Sequence, residues 1–241
     1  MVDSTNAEAA RRAAAGERGP CWIMARRQQA GRGRIGRRWS AETGNLTATY
    51  LFAPDCSPAD AALFAFTASL AVTGLIAASG ARFQGGALKW PNDVLIGGRK
   101  VAGILLESSG SGGRIDWLAI GIGVNLVSAP SEDALRAGGR PATCLTDEGG
   151  AALSQEDALQ HLADALSFFL GIHTEQGFAD GIRGFWLAQA ERLDEEIEVR
   201  TEAQSLRGFF RGVDEHGRLI LEAFADGQRH HFAAADIYFP D

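Results

Sequence analysis

At 241 residues the chain can hold one large domain, or one domain with a small module, and its 46% hydrophobic content is ordinary for a globular protein. A formal net charge of −7 argues against broad nucleic-acid binding. Three cysteines (Cys21, Cys56, Cys144) lie far apart with no C-x-x-C pair, which speaks against structural disulfides and a zinc site and fits a reducing compartment. No stretch reads as long and apolar enough to span a membrane and none reads as a signal peptide, so a cytoplasmic protein is expected.

Thr5-Asn6-Ala7-Glu8 has the spacing of a capping box and predicts an Ala-rich helix to about residue 15. Residues 21–27 and 45–53 read as strands. Between them lies Gly31-Arg32-Gly33-Arg34-Ile35-Gly36, the G-x-G-x-x-G spacing of a dinucleotide fold. That motif requires a helix opening at the glycines, to receive the pyrophosphate on its N-terminus. Here a turn-like run and a β-rich segment follow, so the Rossmann reading fails.

Ser57 and Pro58 open a long apolar helix over 58–79. Three strands follow at 93–97, 100–108 and 114–126, the first two joined by a glycine hairpin signal. After a polar loop at 128–143, helices are expected at about 155–175, capped by Ser154, and at 177–191. From Glu195 onward short strands alternate with turn signals, as in a small antiparallel barrel. The expected class is α+β: a mixed sheet with flanking helices over residues 1–193, then a small β module over 194–241.

Charge is distributed unevenly. Nine arginines lie between Arg11 and Arg38, interleaved with glycine, which points to a specific anion site more than to a solvated basic face. Glycines let backbone N–H groups approach an anion, and arginines add forked donors suited to phosphate and carboxylate. Of 23 basic residues only Lys89 and Lys100 are lysines, and both fall in KWPNDVLIGGRKVAGILLES. An ammonium is a compact charge where a guanidinium is a planar fork, so a chemical need for lysine is the sharper reading of that placement.

GRGRIGRRW, KWPNDVLIGGRKVAGILLE and GIGVNL, in this order and spacing, resemble the catalytic core of biotin–protein ligases, and the opening DSTN resembles that family's first motif. The resemblance spans essentially the whole chain, with a C-terminal barrel similar to Src-homology-3 domains. It implies ATP-dependent attachment of biotin to one lysine of a biotin carboxyl carrier domain of a carboxylase, through biotinyl-5′-adenylate. It also implies the chemical assignments. Ser4, Thr5, Asn6 and Gln28 would meet biotin's ureido ring, and Gly31, Arg32, Gly33 and Arg34 would wrap biotin or its adenylate. Gly103 would allow close backbone approach to biotin. Lys100 would bind the biotin carboxylate and α-phosphate, and with Arg34 form the catalytic pair. Trp39, Asn92, Asp93 and Asn125 would lie on the nucleotide side, with Asp93 a candidate Mg²⁺ ligand.

Blander readings stand beside these. Thr5 could simply cap its helix, Asn92-Asp93 could be a turn, Gly103 a bulge, Asn125 a strand-end turn former, and Lys100 an exposed strand-end lysine. Arg37 and Arg38 need no role beyond solvation. Residues 127–145 carry no aromatic, although some members of the family place a tryptophan there over adenine. Because DSTN stands almost at the start, the N-terminal helix-turn-helix of repressor members is not expected here. An exposed sheet edge could serve homodimerisation or acceptor docking. Lipoate–protein ligase and a non-catalytic biotin or nucleotide sensor are the competing functions; GRGRIGRRW and KWPND favour biotin.

Overall fold

The computed structural model describes residues 2–40, 42–83, 87–131 and 141–239. Its larger sheet contains β1 (Cys21–Met24), β2 (Leu46–Phe52), β3 (Leu88–Lys89), β4 (Asp93–Ile96), β5 (Arg99–Ser111) and β6 (Arg114–Val124), in the order β1-β2-β6-β5-β4-β3. Every ladder in it is antiparallel; parallel pairing enters through isolated bridges such as Lys100–Ala142 and Leu88–Ala190.

The sheet's two faces follow from the period of two along a strand. On β6, Ile120, Ile122 and Val124 point to one face and join the main core, while Ala119, Gly121 and Gly123 point to the other. The first face is covered by α2 (Pro58–Ser79), which is backed by α3 (Gln155–Gly177). The second carries α1 (Thr5–Ala14), whose Ala9 and Ala13 pack with Ile23, Leu51 and Ala119. Beyond α1 that face is left with glycines, and there the sheet forms the floor of a cleft.

Several boundaries depart from expectation. The cap of α1 is Ser4, whose Oγ accepts from the Ala7 N–H at 3.1 Å, not Thr5. Glu8 does not reach back to complete a capping box but pairs with Arg11 and Arg12. The expected helix at 177–191 is a π-helical turn (Phe178–Ile182) running into a short α4 (Arg183–Leu187). Pro91 sits in the turn between β3 and β4, and a bulge follows at Val94/Leu95. Contrary to expectation one segment, α2, is long and apolar enough for a membrane span, with a mean hydropathy of 2.0 over a membrane-length window. It is instead a core helix: 72% of that window is buried inside the fold, between the sheet and α3.

The C-terminal module is a five-stranded antiparallel sheet of β7 (Glu196–Arg200), β8 (Ser205–Val213), β9 (Leu219–Ala223), β10 (Arg229–Phe232) and β11 (Asp236–Tyr238). Its order is β10-β9-β8-β7-β11, and no ladder among the described residues closes β10 onto β11. The module is docked by its β8–β9 turn. The Trp90 Nε1–H donates to the Gly217 carbonyl at 2.9 Å, and a Cβ at Gly217 would meet Leu63 and Phe66 of α2 at 2.7 and 2.9 Å. Asp214 holds this turn. Burial works to raise its pKa, but hydrogen bonds from His231, Arg218 and the His216 N–H bring it down to about 2.

Candidate active site

The cleft has a volume of about 950 Å³. Its floor is the glycine face of β5 and β6, one end is the start of α1, and the segment 32–40 runs along its rim. The far wall comes from the C-terminal module, residues 235–239. The rim segment is closed on itself rather than opening a helix: the Trp39 N–H donates to the Gly31 carbonyl at 3.0 Å, and the Gly33 N–H to the Arg37 carbonyl at 2.7 Å. A single 3₁₀ turn, Arg34–Gly36, lies between.

The α1 end is polar and its donors are ordered. Gln28 Oε1 accepts from the Thr5 N–H at 2.7 Å and from the Thr5 hydroxyl at 3.2 Å. The Asn6 amide N–H donates to the Leu105 carbonyl at 3.2 Å. Between Thr5 and Asn6 stands Thr49 of β2, fully buried, its hydroxyl 2.8 Å from Thr5 Oγ1 and 2.7 Å from Asn6 Oδ1. Gly121 is required by this arrangement, because any Cβ there would overlap the Asn6 amide.

The other end carries the charge. Lys100 Nζ lies 2.5 Å from Asp93 Oδ1, both side chains partly buried. Two backbone bonds hold the lysine's position: its N–H donates to the Pro141 carbonyl and its carbonyl accepts from Thr143. Arg34 Nη1 donates to Asn92 Oδ1 at 3.3 Å, and Asn92 Nδ2 to the Ile104 carbonyl at 2.6 Å. Burial pushes the Arg34 pKa down, Asp93 and Asp236 oppose that, and Arg37 adds to it. A partly buried guanidinium held in this way interacts with an anion more strongly than one in bulk water. The Trp39 indole lies against Gly103 and Gly123, with Lys100 Nζ 5.6 Å from its ring centre. Its Nε1–H is buried and has no partner among the described residues. Asn125 donates to the Thr143 carbonyl at 3.0 Å, while its buried Oδ1 is likewise without a partner.

Ser4, Thr5, Asn6, Gln28, Arg32, Gly33, Arg34, Trp39, Asn92, Asp93, Lys100, Gly103 and Asn125 all line this one cleft. Gly31 does not. It sits beneath the loop, where a Cβ would come 2.5 Å from the Trp39 carbonyl oxygen, so its smallness closes the loop's neck. Asn125 is no simple turn former, since it stitches the end of β6 to the returning segment at Thr143. Sequence reading missed Thr49, the Gly121/Gly123 floor and the wall from β11. The glycines were legible as a period-two pattern in AIGIGV; the other two depend on tertiary contacts. Arg37, read as solvated, reaches Asp236 at 3.2 Å and ties the loop to β11. Arg32 reaches Glu107 at 3.2 Å. Residues 132–140 of the non-aromatic segment lie outside the described residues.

No cluster of three metal-ligating side chains occurs among the described residues. Asp93, already paired with Lys100, is too small a donor set for a resident metal. It does suit a Mg²⁺ that arrives on phosphate oxygens, an ion that takes one or two carboxylates and keeps the rest of its shell as phosphate and water.

Residues 2–125 match the Biotin/lipoate A/B protein ligase family, and residues 193–239 match the Biotin protein ligase C terminal domain. The chain is 44% identical over 241 residues to the biotin–[acetyl-CoA-carboxylase] ligase of Paracoccus denitrificans, covering 99% of this chain and 98% of that protein. It is 30% identical over 204 residues to the bifunctional ligase/repressor BirA of Bacillus subtilis (strain 168), covering 83% of this chain and 61% of that protein. Its fold superposes on the biotin protein ligase from Aquifex aeolicus solved with biotin and ATP, with a TM-score of 0.76 at 24% identity, covering 98% and 94% of the two chains. The ordered polar pocket, the cationic cleft and the matching of both segments lead to one assignment: the chain belongs to the biotin/lipoate protein ligase family, as a biotin protein ligase.

Proposed function

We propose that this protein activates biotin with ATP and transfers it to a lysine of a carboxylase's carrier domain. The observation that carries this reading is the polarity of the cleft. One end offers ordered neutral donors and acceptors and the other offers cations, matching a molecule with a urea head and a carboxylate tail.

In the first step a biotin carboxylate oxygen attacks the α-phosphorus of ATP and pyrophosphate leaves. Both reactants are anionic, so the barrier includes their mutual repulsion. Lys100 and Arg34 supply fixed positive charge where the carboxylate and α-phosphate meet, and they need no reorganisation as charge shifts onto the phosphoryl oxygens. Asp93 would be the residue to hold a Mg²⁺ arriving with the nucleotide, which would add charge neutralisation on the phosphates. Asn125 offers its free Oδ1 to a nucleotide donor, and the Trp39 ring offers an aromatic face to the base. In the second step the acceptor's amine attacks the acyl carbon, the C–O bond to phosphate breaks, and AMP departs. No nucleophile of the enzyme is needed.

We further propose that residues 1–193 form the catalytic unit and 194–241 the small β module. The reaction is placed in the cytoplasm, in keeping with three free cysteines. The outer edge of β1, which pairs only with β2 among the described strands, is the candidate edge for homodimerisation or acceptor docking. A lipoate ligase is less well supported, because a dithiolane has no use for the polar end.

Mass spectrometry of the products from protein, biotin and Mg-ATP tests the reading. Biotinyl-adenylate and pyrophosphate are expected, with acyl-adenylate from lipoic acid formed far more slowly. ATP left intact in the presence of biotin would refute it.

A further inference from the structure

We infer that Thr49, which does not itself line the cleft, is a specificity-determining positioning residue: its hydroxyl, through Asn6 directly and through Thr5 to Gln28, sets which atoms of Asn6 and Gln28 face the substrate's urea group. The inference rests on the biotin-ligase reading above and deepens it.

The argument is one of proton bookkeeping. Gln28 Oε1 accepts both the Thr5 N–H and the Thr5 hydroxyl proton. Thr5 Oγ1 has then spent its proton and turns a lone pair to Thr49, 2.8 Å away. Asn6 gives an N–H to the Leu105 carbonyl, so its Oδ1 must be the atom facing Thr49 at 2.7 Å. The Thr49 O–H is therefore a shared donor to two acceptors, and it holds the Asn6 amide against a flip. Gln28 Nε2 and the second lone pair of Asn6 Oδ1 remain uncommitted among the described residues. Together they make a donor beside an acceptor, the pattern that a urea N–H and carbonyl need and a hydrocarbon or dithiolane does not.

Thr49 is placed for this by register. It stands opposite Gly121 on β6 and Ile23 on β1, so it points to the α1 face of the sheet. It is wholly inaccessible, and a threonine hydroxyl there is costly unless it bonds. A valine would fit the same space and the same strand geometry without the donor. Packing alone therefore gives no reason for the hydroxyl.

The test compares wild type, Thr49→Val and Thr49→Ser by pyrophosphate release, with thermal melting in parallel. Thr49→Val is expected to raise the KM for biotin about tenfold, the loss of roughly one buried hydrogen bond. The KM for ATP should stay within about twofold, and the preference for biotin over lipoic acid should fall by a factor similar to the rise in biotin KM. Thr49→Ser keeps the hydroxyl and should behave as wild type. An unchanged biotin KM in Thr49→Val, or an equal loss toward ATP, would overturn the inference. If Thr49→Val does not fold, Thr49→Ala removes the same hydroxyl and is read in its place, an unchanged biotin KM again overturning the inference. A biotin KM raised about tenfold in Thr49→Ser would also overturn it, because the methyl and not the hydroxyl would then matter. A wild-type protein that makes no biotinyl-adenylate would overturn the ligase reading itself; an active wild type with an unaffected valine variant overturns only the role of Thr49.

Discussion

Lys100 and Asp93 form a 2.5 Å ion pair, and the proposed mechanism gives that pairing a chemical use. In that mechanism the carboxylate would hold the ammonium where the two substrates are proposed to meet. Lys100→Ala removes the charge proposed to act on the phosphoryl group and leaves Asp93 without its ion-pair partner in the cleft. Adenylate formation should drop by on the order of 10²–10³-fold, the usual cost of deleting one preorganised transition-state donor. Lys100→Arg should recover little of it, because the fork is wider and directed differently. Quenched-flow measurement of biotinyl-adenylate, beside a melting curve, checks both; turnover within threefold of wild type in the alanine variant would remove Lys100 from the mechanism.

Among the elements, the α2–α3 contact and the loop 31–39 show how differently a fold can use polar groups. His173 of α3 stacks on Phe64 at 4.3 Å and shares a 2.7 Å hydrogen bond with Thr67, both on α2. Burial lowers its pKa, while Asp60 acts weakly in the other direction. A histidine held neutral in the fold but free to protonate when unfolded contributes stability above the unfolded pKa of about 6.5, and that stability is lost as pH falls toward the lower folded value. The melting temperature should therefore decline as pH falls below about 6.5, and less so in His173→Gln. Parallel pH profiles of the two proteins would count against the assignment.

The loop depends on a more exposed contact. Arg37 and Asp236 are 60% and 42% exposed, so their pair contributes at most about 1 kcal/mol. It is nevertheless a direct ionic tie from the loop to the wall formed by β11. Asp236→Ala should leave the melting temperature nearly unchanged yet raise the open population of the loop by up to about fivefold. Limited proteolysis at Arg32 to Arg38 reads this directly; equal cleavage rates would show that the tie does not restrain the loop.

At the scale of the whole molecule, the C-terminal module is not an appendage. One continuous core runs from Leu46 of β2 to Ile237 of β11. The turn at Gly217 (φ 72°) is driven against α2, and its carbonyl is held by Trp90, two residues before Asn92. The module thereby buttresses the segment that carries Asn92 and Asp93. Trp90→Phe leaves a buried carbonyl without its donor and should cost about 1–3 kcal/mol. Calorimetry should show a single transition for both sheets, shifted downward, together with weaker ATP binding. Two separated transitions in the wild-type protein would show that the module folds independently of the site.

Much of this was written locally. The caps at Ser57 and Ser154, the hairpin at Gly97-Gly98 and the failure of GRGRIG to open a helix all depend on residues within a turn or two of each other, where short-range sterics decide. Of the nine early arginines expected at an anion site, only Arg32, Arg34, Arg37 and Arg38 line the cleft, with both lysines; Arg11, Arg12 and Arg26 pair with carboxylates elsewhere, because charge is visible in residue type but its destination is set by the fold. What the sequence left open required distant segments to meet. The cap of α1 went to Ser4 because Thr5 was drawn inward to Gln28, 23 positions away. Thr49 looks like any strand threonine until the register of β2 places it behind Asn6, 43 positions distant. The wall from β11 and the Arg37–Asp236 tie join positions 199 apart. Only packing decides such contacts, because a hydroxyl or a carboxylate takes its role from the partner that the closed chain brings within hydrogen-bonding distance.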